Sequence, residues 1–202
     1  EQLQNGYFPG DNPIYLIDAD GAPLTTVLQN DPERNALKAA AALKNGDNAT
    51  AVTLLTNATK KYPSDIENWR NLAIAQFQSG NKQEAVNAIG KAYALSTLDM
   101  QNANTAGMVY LQAGDMDKAM QVFKKMTEDY PEAAEGWMGL GQVQASRKNF
   151  TLAIENINKA LAIDGRYAPQ GYNILAYVYQ QMGDMATAQK YAAAAQQAAA
   201  QQ

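Results

Sequence analysis

The sequence predicts an all-α fold, an α-solenoid in which helix–turn–helix hairpins stack side by side. Two observations predict it. A pattern of small, large and turn-forming residues returns after 34 residues and repeats through most of the 202-residue chain. Within each copy, apolar residues recur at the helical spacing of three and four, and a turn-forming residue divides the copy into two segments. One such hairpin cannot bury its own apolar face, so neighbouring copies must supply the core.

An alanine in the second segment and a glycine in the turn define the period. The alanine recurs at intervals of 34, 34, 34 and 35 residues, at Ala51, Ala85, Ala119, Ala153 and Ala188. The turn position holds Gly46, Gly80, Gly114, Lys148 and Gly183. We therefore divide the chain from residue 32 onward into five repeats, approximately 32–65, 66–99, 100–133, 134–168 and 169–202.

Each repeat contains two expected helices with capping residues at their starts. Asp65, Asn81 and Asp99 can accept hydrogen bonds from backbone amides of the first turn. In Gly114-Asp115, the glycine can end one helix and the carboxylate can cap the next. The expected helices are Glu33–Asn45, Asn48–Lys61, Asp65–Ser79, Lys82–Leu95, Met100–Ala113, Met116–Tyr130, Ala133–Ser146, Phe150–Ile163, Tyr167–Met182 and Met185–Ala200.

Small and large residues alternate between the paired helices. Glycine or alanine at positions 73, 107, 141 and 176 allows the two helices of a hairpin to approach closely. Larger residues on the second helix are expected to fill the space where the next hairpin stacks. These larger residues are Leu55, Ile89, Phe123 and Ile157.

Residues 1–31 do not follow the period and are interpreted as an N-terminal arm. Turn formers crowd Gly6–Pro13, and Ile14–Ile17 and Leu24–Val27 predict two short strands of a β-hairpin. The arm either caps the first repeat or extends into a groove of its own or another chain. Asp18–Gly21 resembles the start of a calcium loop, but the glutamate that such a loop requires is missing, so a plain turn is favoured.

Four motifs resemble the tetratricopeptide repeat, and the resemblance covers about four-fifths of the chain. They are Trp137-x2-Leu140-Gly141, Gly107-x2-Tyr110, Ala119-x3-Phe123 and Pro131. Gln76 and Gln144 depart from the family pattern, where a tyrosine is usual, and the first repeat lacks its tryptophan. The resemblance implies a right-handed superhelix whose concave face is lined by the first helix of each hairpin.

The resemblance also implies which side chains face the concave groove. Counting from the tryptophan position gives Arg70, Ile74, Phe77, Asn104, Met108, Leu111, Met138, Gln142, Asn173 and Tyr177. This set combines apolar and polarizable side chains with amides, which suits a peptide or protein segment with hydrophobic anchors. The alternative is that Ile74, Met108 and Leu111 only pack between helices. Neither the two-carboxylate clamp nor the asparagine ladder of specialised family members is present at the corresponding positions.

Composition narrows the function classes. The net charge of −4 does not favour nucleic acid, for which a basic stripe is expected. The chain has no cysteine and no histidine, which excludes thiolate zinc sites, disulfides and Cys or His nucleophile–base pairs. We therefore expect no enzyme activity, no cofactor and no metal site. No apolar run approaches the length of a membrane span.

The sequence thus predicts a non-catalytic scaffold that holds a segment of another protein. The alternative is a self-assembling module that forms homo-oligomers through the N-terminal arm or the alanine-rich helix over Ala192–Ala200. Abundant amide and threonine residues without cysteine favour a periplasmic or exported bacterial protein, in an envelope or secreted complex, over a cytoplasmic one. Because the chain begins at Glu1, we expect a signal or lipoprotein anchor upstream.

Overall fold

A computed structural model describes residues 32–201 of the chain, with side chains over 36–201. In this part the chain forms ten α-helices, one short 3-10 helix and no strands, and the expected stack of helical hairpins is confirmed. The predictions made for residues 1–31 lie outside the described residues. The α-helices are α1 Pro32–Lys44, α2 Asn48–Lys61, α3 Ile66–Gln78, α4 Lys82–Leu95, α5 Met100–Ala113, α6 Met116–Asp129, α7 Ala134–Ser146, α8 Phe150–Ile163, α9 Ala168–Gln181 and α10 Met185–Ala199.

The helices pack in two ways. Each odd-numbered helix packs against the even-numbered helix that follows it, which gives five hairpins, and each hairpin packs against the next through the adjoining helices. The odd-numbered helices of neighbouring hairpins also contact one another, from α1–α3 to α7–α9. They therefore form one continuous surface, which is the face that the sequence predicts to line the groove.

Aspartate side chains cap the N-termini of several helices. The Asp65 carboxylate accepts a hydrogen bond from the Asn68 backbone N–H at 3.1 Å, and Asp99 accepts one from Asn102 at 2.7 Å, as predicted. The prediction for Asn81 was wrong, because its side chain makes no capping bond. Its Nδ2 donates instead to Gln76 Oε1 at 2.8 Å.

The turn within a hairpin contains a residue in the left-handed backbone conformation, with a positive φ. Gly114 has φ 91°, and the backbone N–H of Asp115 donates to the Tyr110 carbonyl at 2.8 Å. This is the hydrogen-bond pattern of a Schellman motif. In the fourth hairpin Lys148 occupies the same position with φ 63°, although a Cβ disfavours that conformation.

One aromatic ring fixes the junction between the third and fourth hairpins. Phe123 on α6 is 0 % exposed. A Cβ added to Gly107 on α5 would lie 2.4 Å from Phe123 Cζ, and one added to Gly139 on α7 would lie 2.3 Å from Phe123 Cδ1. The ring is therefore held between two glycines, one from its own hairpin and one from the next.

Side chains hold the loops between hairpins in place by donating hydrogen bonds to backbone carbonyls. Trp69 Nε1 donates to the Pro63 carbonyl at 2.8 Å, and Trp137 Nε1 donates to the Pro131 carbonyl at 2.8 Å. The third repeat has alanine at the tryptophan position. There the neighbouring Asn102, which is 0 % exposed, donates from Nδ2 to two carbonyl oxygens of the preceding helix end and loop.

Replacing Gly139 by alanine should destabilise the fold. Alanine normally favours a helix interior over glycine by about 1 kcal/mol, but here its Cβ would overlap the Phe123 ring, which cannot retreat because Gly107 lies behind it. We expect a net loss of about 1–3 kcal/mol in the free energy of unfolding, measured by urea denaturation. Changing Phe123 to isoleucine in the same variant should recover part of the loss. Gly165→Ala is the control, because no atom lies within 4 Å of its added Cβ.

Replacing Lys148 by glycine should stabilise the protein. Glycine adopts a positive φ without the steric cost that a Cβ imposes, so we expect a gain of about 0.5–1 kcal/mol in the free energy of unfolding. Lys148→Ala keeps the Cβ and should give no comparable gain in the same thermal melts. Equal melting temperatures for the two variants would contradict this assignment.

Candidate partner-binding groove

Two adjoining cavities open on the groove face. The central cavity, about 160 Å³, lies among α5, α7 and the start of α9 and is lined by Asn104, Met108, Glu135, Met138, Gly139, Gln142, Tyr167 and Gln170. The C-terminal cavity, about 480 Å³, lies between α7 and α9 and is lined by Gln142, Ala145, Ser146, Gln170, Asn173, Ile174 and Tyr177. Gln142 and Gln170 line both cavities. The two cavities therefore form a continuous recess across three hairpins.

This recess brings together six of the ten residues that the sequence places in the groove. They are Asn104, Met108, Met138, Gln142, Asn173 and Tyr177. Tyr177 is the most accessible apolar member, at 46 % exposure, whereas Met138 is 3 % exposed and forms part of the cavity wall. Met108 both lines the central cavity and packs against the main hydrophobic core.

The other four predicted residues lie outside the two cavities. Leu111 is 8 % exposed and belongs to the main hydrophobic core, so its side chain packs between helices. Ile74 and Phe77 on α3 are half-buried, and Phe77 packs against the same core. Arg70 is 9 % exposed, and no carboxylate of the described residues pairs with it.

The amide side chains of the recess are not used by the fold. In the described part of the chain, the side chains of Asn104, Gln142, Gln170 and Asn173 form no hydrogen bond with another residue. Gln142 Oε1 is also inaccessible to solvent. By contrast Gln144, two residues along the same helix, accepts a hydrogen bond from Asn149 at 2.9 Å. Gln142 is therefore the amide of the recess whose oxygen the fold leaves both buried and unpaired.

Glu135 supplies the charge among the residues that line the two cavities. The Tyr167 hydroxyl donates to Glu135 Oε1 at 2.8 Å, which joins the 3-10 turn before α9 to the start of α7. Burial, followed by the hydrogen bond with Glu135, raises the pKa of Tyr167 to about 12. Glu135, Tyr167 and Gln170 are not among the residues that the repeat register predicts for the groove. Their proximity depends on how the loop over Asp164–Tyr167 folds, which the repeat pattern does not specify.

Comparison with known proteins places the fold in a family. Models of the tetratricopeptide repeat match residues 37–103, 104–169 and 169–202. These matches cover well over half of the chain, so the chain belongs to the tetratricopeptide repeat (TPR) family.

Curated relatives are similar over part of their length. The human general transcription factor 3C polypeptide 3 is 27 % identical over 127 residues, which cover 61 % of this chain and 14 % of the relative. The bovine BBSome complex member BBS4 is 26 % identical over 119 residues, covering 59 % of this chain and 23 % of the relative. The matched region therefore spans less than a quarter of either protein.

Solved structures of TPR proteins share the fold. MamA of Desulfovibrio magneticus RS-1 superposes with a TM-score of 0.70 at 19 % identity, covering 85 % of this chain and 96 % of that one. PilF of Pseudomonas aeruginosa gives 0.69 at 21 % identity, with coverages of 83 % and 76 %. A TPR protein of Thermus thermophilus gives 0.68 at 22 % identity, with coverages of 83 % and 91 %.

Over residues 32–201, no helix combines the length and apolar character that crossing a membrane requires. In the same range, histidine, cysteine, aspartate and glutamate side chains form no group of three that could hold a metal ion.

The Tyr167–Glu135 contact should give the protein a measurable response to alkaline pH. Because folding raises the pKa of Tyr167 from 10 to about 12, its contribution to stability is complete below pH 10 and is lost as the pH rises through 12. We expect Tyr167→Phe to lose less stability than the wild type between these two pH values, measured by urea denaturation. Tyr177→Phe is the matched control, and it should behave as the wild type does. Identical pH profiles for Tyr167→Phe and the wild type would contradict the assignment.

Proposed function

We propose that this protein is a non-catalytic scaffold whose groove holds a segment of another protein. One observation carries the proposal: six of the ten side chains predicted from the repeat register, from three successive hairpins, line one continuous recess. Membership of the TPR family supports an interaction role. The recess itself combines apolar walls with amide side chains that form no hydrogen bond to another described residue. Such a surface suits a peptide.

The dimensions of the recess favour an extended segment over a small molecule. Packed helices lie about 8–10 Å apart, so a track across α5, α7 and α9 is about 20 Å long. An extended chain advances about 3.3 Å per residue, so about six residues would occupy this track. Such a segment would contact every hairpin that lines the recess, and its binding would depend on the correct stacking of all three.

Affinity is expected to come from a few anchors. In protein interfaces a minority of residues carries most of the binding free energy, and large apolar side chains at the centre are prominent among them. Met108 in the central cavity and Tyr177 in the C-terminal cavity meet this description. Phe77 would extend the same apolar line towards the first half of the groove.

Met108→Ala and Tyr177→Ala should each weaken partner binding by about 1–2 kcal/mol, and Phe77→Ala should act in the same direction. The experiment is a pull-down from the source organism, followed by titration of the captured partner with each variant. Met182→Ala is the matched control, since Met182 is 51 % exposed and lies outside both cavities. Unchanged affinity in all three groove variants would mean that the partner binds elsewhere.

We further propose an exported or periplasmic location in a bacterium and a role in assembling an envelope or secreted complex. The amide-rich, cysteine-free composition supports this location. Fractionation of cells that produce the full-length gene product tests it. Recovery of the protein with the cytoplasmic markers alone would overturn the proposal.

Self-assembly is the competing proposal, and one observation bears on it. Ala192 on α10 takes the position that Leu55, Ile89, Phe123 and Ile157 hold in earlier repeats, and it is exposed. Light scattering separates the two functions. Self-assembly requires a mass that rises with concentration and falls when residues 1–31 or the exposed face of α10 are altered.

A further inference from the structure

A third cavity lies between two even-numbered helices. Over residues 32–201, even-numbered helices of neighbouring hairpins do not pack closely on one another, which leaves a furrow between them. Between α8 and α10 this furrow contains a cavity of about 660 Å³, lined by Asn158, Leu161, Ala162, Tyr172, Thr187, Lys190, Tyr191 and Ala194. None of these residues lines either groove cavity. The furrow cavity is therefore separate from the recess.

A lysine that covers an aromatic ring in the fourth repeat has no counterpart in the fifth. Lys159 on α8 lies over the ring of Trp137 on α7, with Nζ 3.5 Å from the ring centroid. A step of 35 residues leads from Trp137 to Tyr172 and from Lys159 to Ala194. The alanine is too short to cover the ring. Tyr172 therefore lines an open cavity where Trp137 has a cation over its face.

Two tyrosine rings line this cavity and are held in position by the fold. The ring centroids of Tyr172 and Tyr191 lie 5.8 Å apart, and Tyr191 also stacks on Tyr179 at 5.4 Å. Tyr172, Tyr191 and Leu161 pack against one hydrophobic core cluster. Aromatic pairs are favourable at centroid separations of about 4.5–7 Å. A further aromatic side chain can thus join this arrangement without displacing it.

The polar groups of the cavity suit an anion. In the described part of the chain, no carboxylate forms an ion pair with Lys190. The hydroxyls of Tyr172 and Tyr191 and the Asn158 amide form no hydrogen bond with another described residue. No aspartate or glutamate lines the cavity. The lining residues therefore offer hydrogen-bond donors and one positive charge, and the complement is a carboxylate.

The exposure of the cavity favours a segment of a protein over a free small molecule. Asn158, Ala162 and Lys190 are exposed, so a molecule confined to the cavity would keep much of its surface in water. Sites for small molecules usually bury about 70–90 % of the ligand surface. A protein segment can place one side chain in the cavity and gain further contacts along the furrow between α8 and α10.

We propose that the furrow cavity is a second docking site, which binds an acidic segment of a partner protein. An aromatic side chain of the segment lies against Tyr172 and Tyr191, and an adjacent aspartate or glutamate pairs with Lys190. This site goes beyond the proposed groove function and does not depend on it. A chain that is occupied at both sites links two segments through different faces of the solenoid.

The test uses the full chain, an array of random peptides of about ten residues, and a variant that fills the cavity. Ala194→Lys introduces the side chain that covers the ring in the fourth repeat. Ala193→Lys is the matched control, because it adds the same charge at an exposed neighbour that does not line the cavity. Peptides that dock here should bind wild type and Ala193→Lys alike and lose about tenfold or more in affinity for Ala194→Lys.

A second comparison assigns the carboxylate to Lys190. The tightest of these peptides is resynthesised with its acidic residue replaced by the corresponding amide. This change should weaken binding to the wild type about threefold to fivefold and should have no effect in Lys190→Gln, where the counter-charge is absent. In Lys91→Gln the loss should remain, because this variant removes the same charge from an exposed position on α4. Circular dichroism and thermal melts establish that all variants retain the fold.

The outcomes decide between this site and its alternatives. If no peptide distinguishes wild type from Ala194→Lys, the furrow cavity is not a docking site, and the groove proposal keeps its own test with Tyr177→Ala. If the amide replacement weakens wild type and Lys190→Gln equally, the assigned chemistry is overturned. If light scattering shows self-association that Ala194→Lys prevents, a second copy of the chain occupies the cavity and the proposal is also overturned. Losses specific to Ala194→Lys and to the Lys190 pairing establish it.

Discussion

The stacking of this protein depends on large side chains that enter spaces left by small ones on the neighbouring helices. The contact of Phe123 with Gly107 and Gly139 is the tightest case, since neither glycine could carry a Cβ without meeting the ring. Ile157 meets Gly141 in the same way, with its Cδ1 2.4 Å from the place of an added Cβ. Because a repeat array is stabilised by nearest-neighbour contacts, each such junction determines whether two hairpins form one continuous surface.

The same junctions shape the groove. Gly139 contacts Phe123 on one side and lines the central cavity on the other, so the residue that permits close stacking is also part of the groove wall. In the next repeat, the corresponding residue is Ile174, which lines the larger C-terminal cavity. The glycine leaves room for the Phe123 ring of α6, whereas an isoleucine adds an apolar wall. The exchange of one residue type therefore gives neighbouring parts of the groove different sizes and different chemistry.

The fold could be predicted because the period is a steric requirement that every repeat must meet. The bounds expected for α2, α4, α5 and α8 agree with the structure. The start of α9 differs, because a 3-10 turn over Gly165–Tyr167 precedes it and Asp164 caps that turn. The repeat register placed six residues on the recess, but it also selected Leu111, whose side chain the structure places in the core. The repeat register predicts which face of a helix a residue lies on. Packing against the neighbouring hairpin then determines which residues of that face stay accessible to a partner.

The use of each amide could not be predicted, since it depends on distances between repeats. Asn102 and Gln142 both contain a buried oxygen without a partner. However, Asn102 Nδ2 donates to the carbonyls of Ala92 and Ser96, so this side chain fastens a loop. The Gln142 side chain forms no hydrogen bond with another residue of the described chain. The nearby Gln144 accepts one from Asn149, in the turn that follows the same helix. An unsatisfied acceptor lowers stability wherever it lies. Gln142 lies where the two cavities meet, so the recess contains a buried acceptor that the described fold leaves unpaired, and only the distances between repeats decide this.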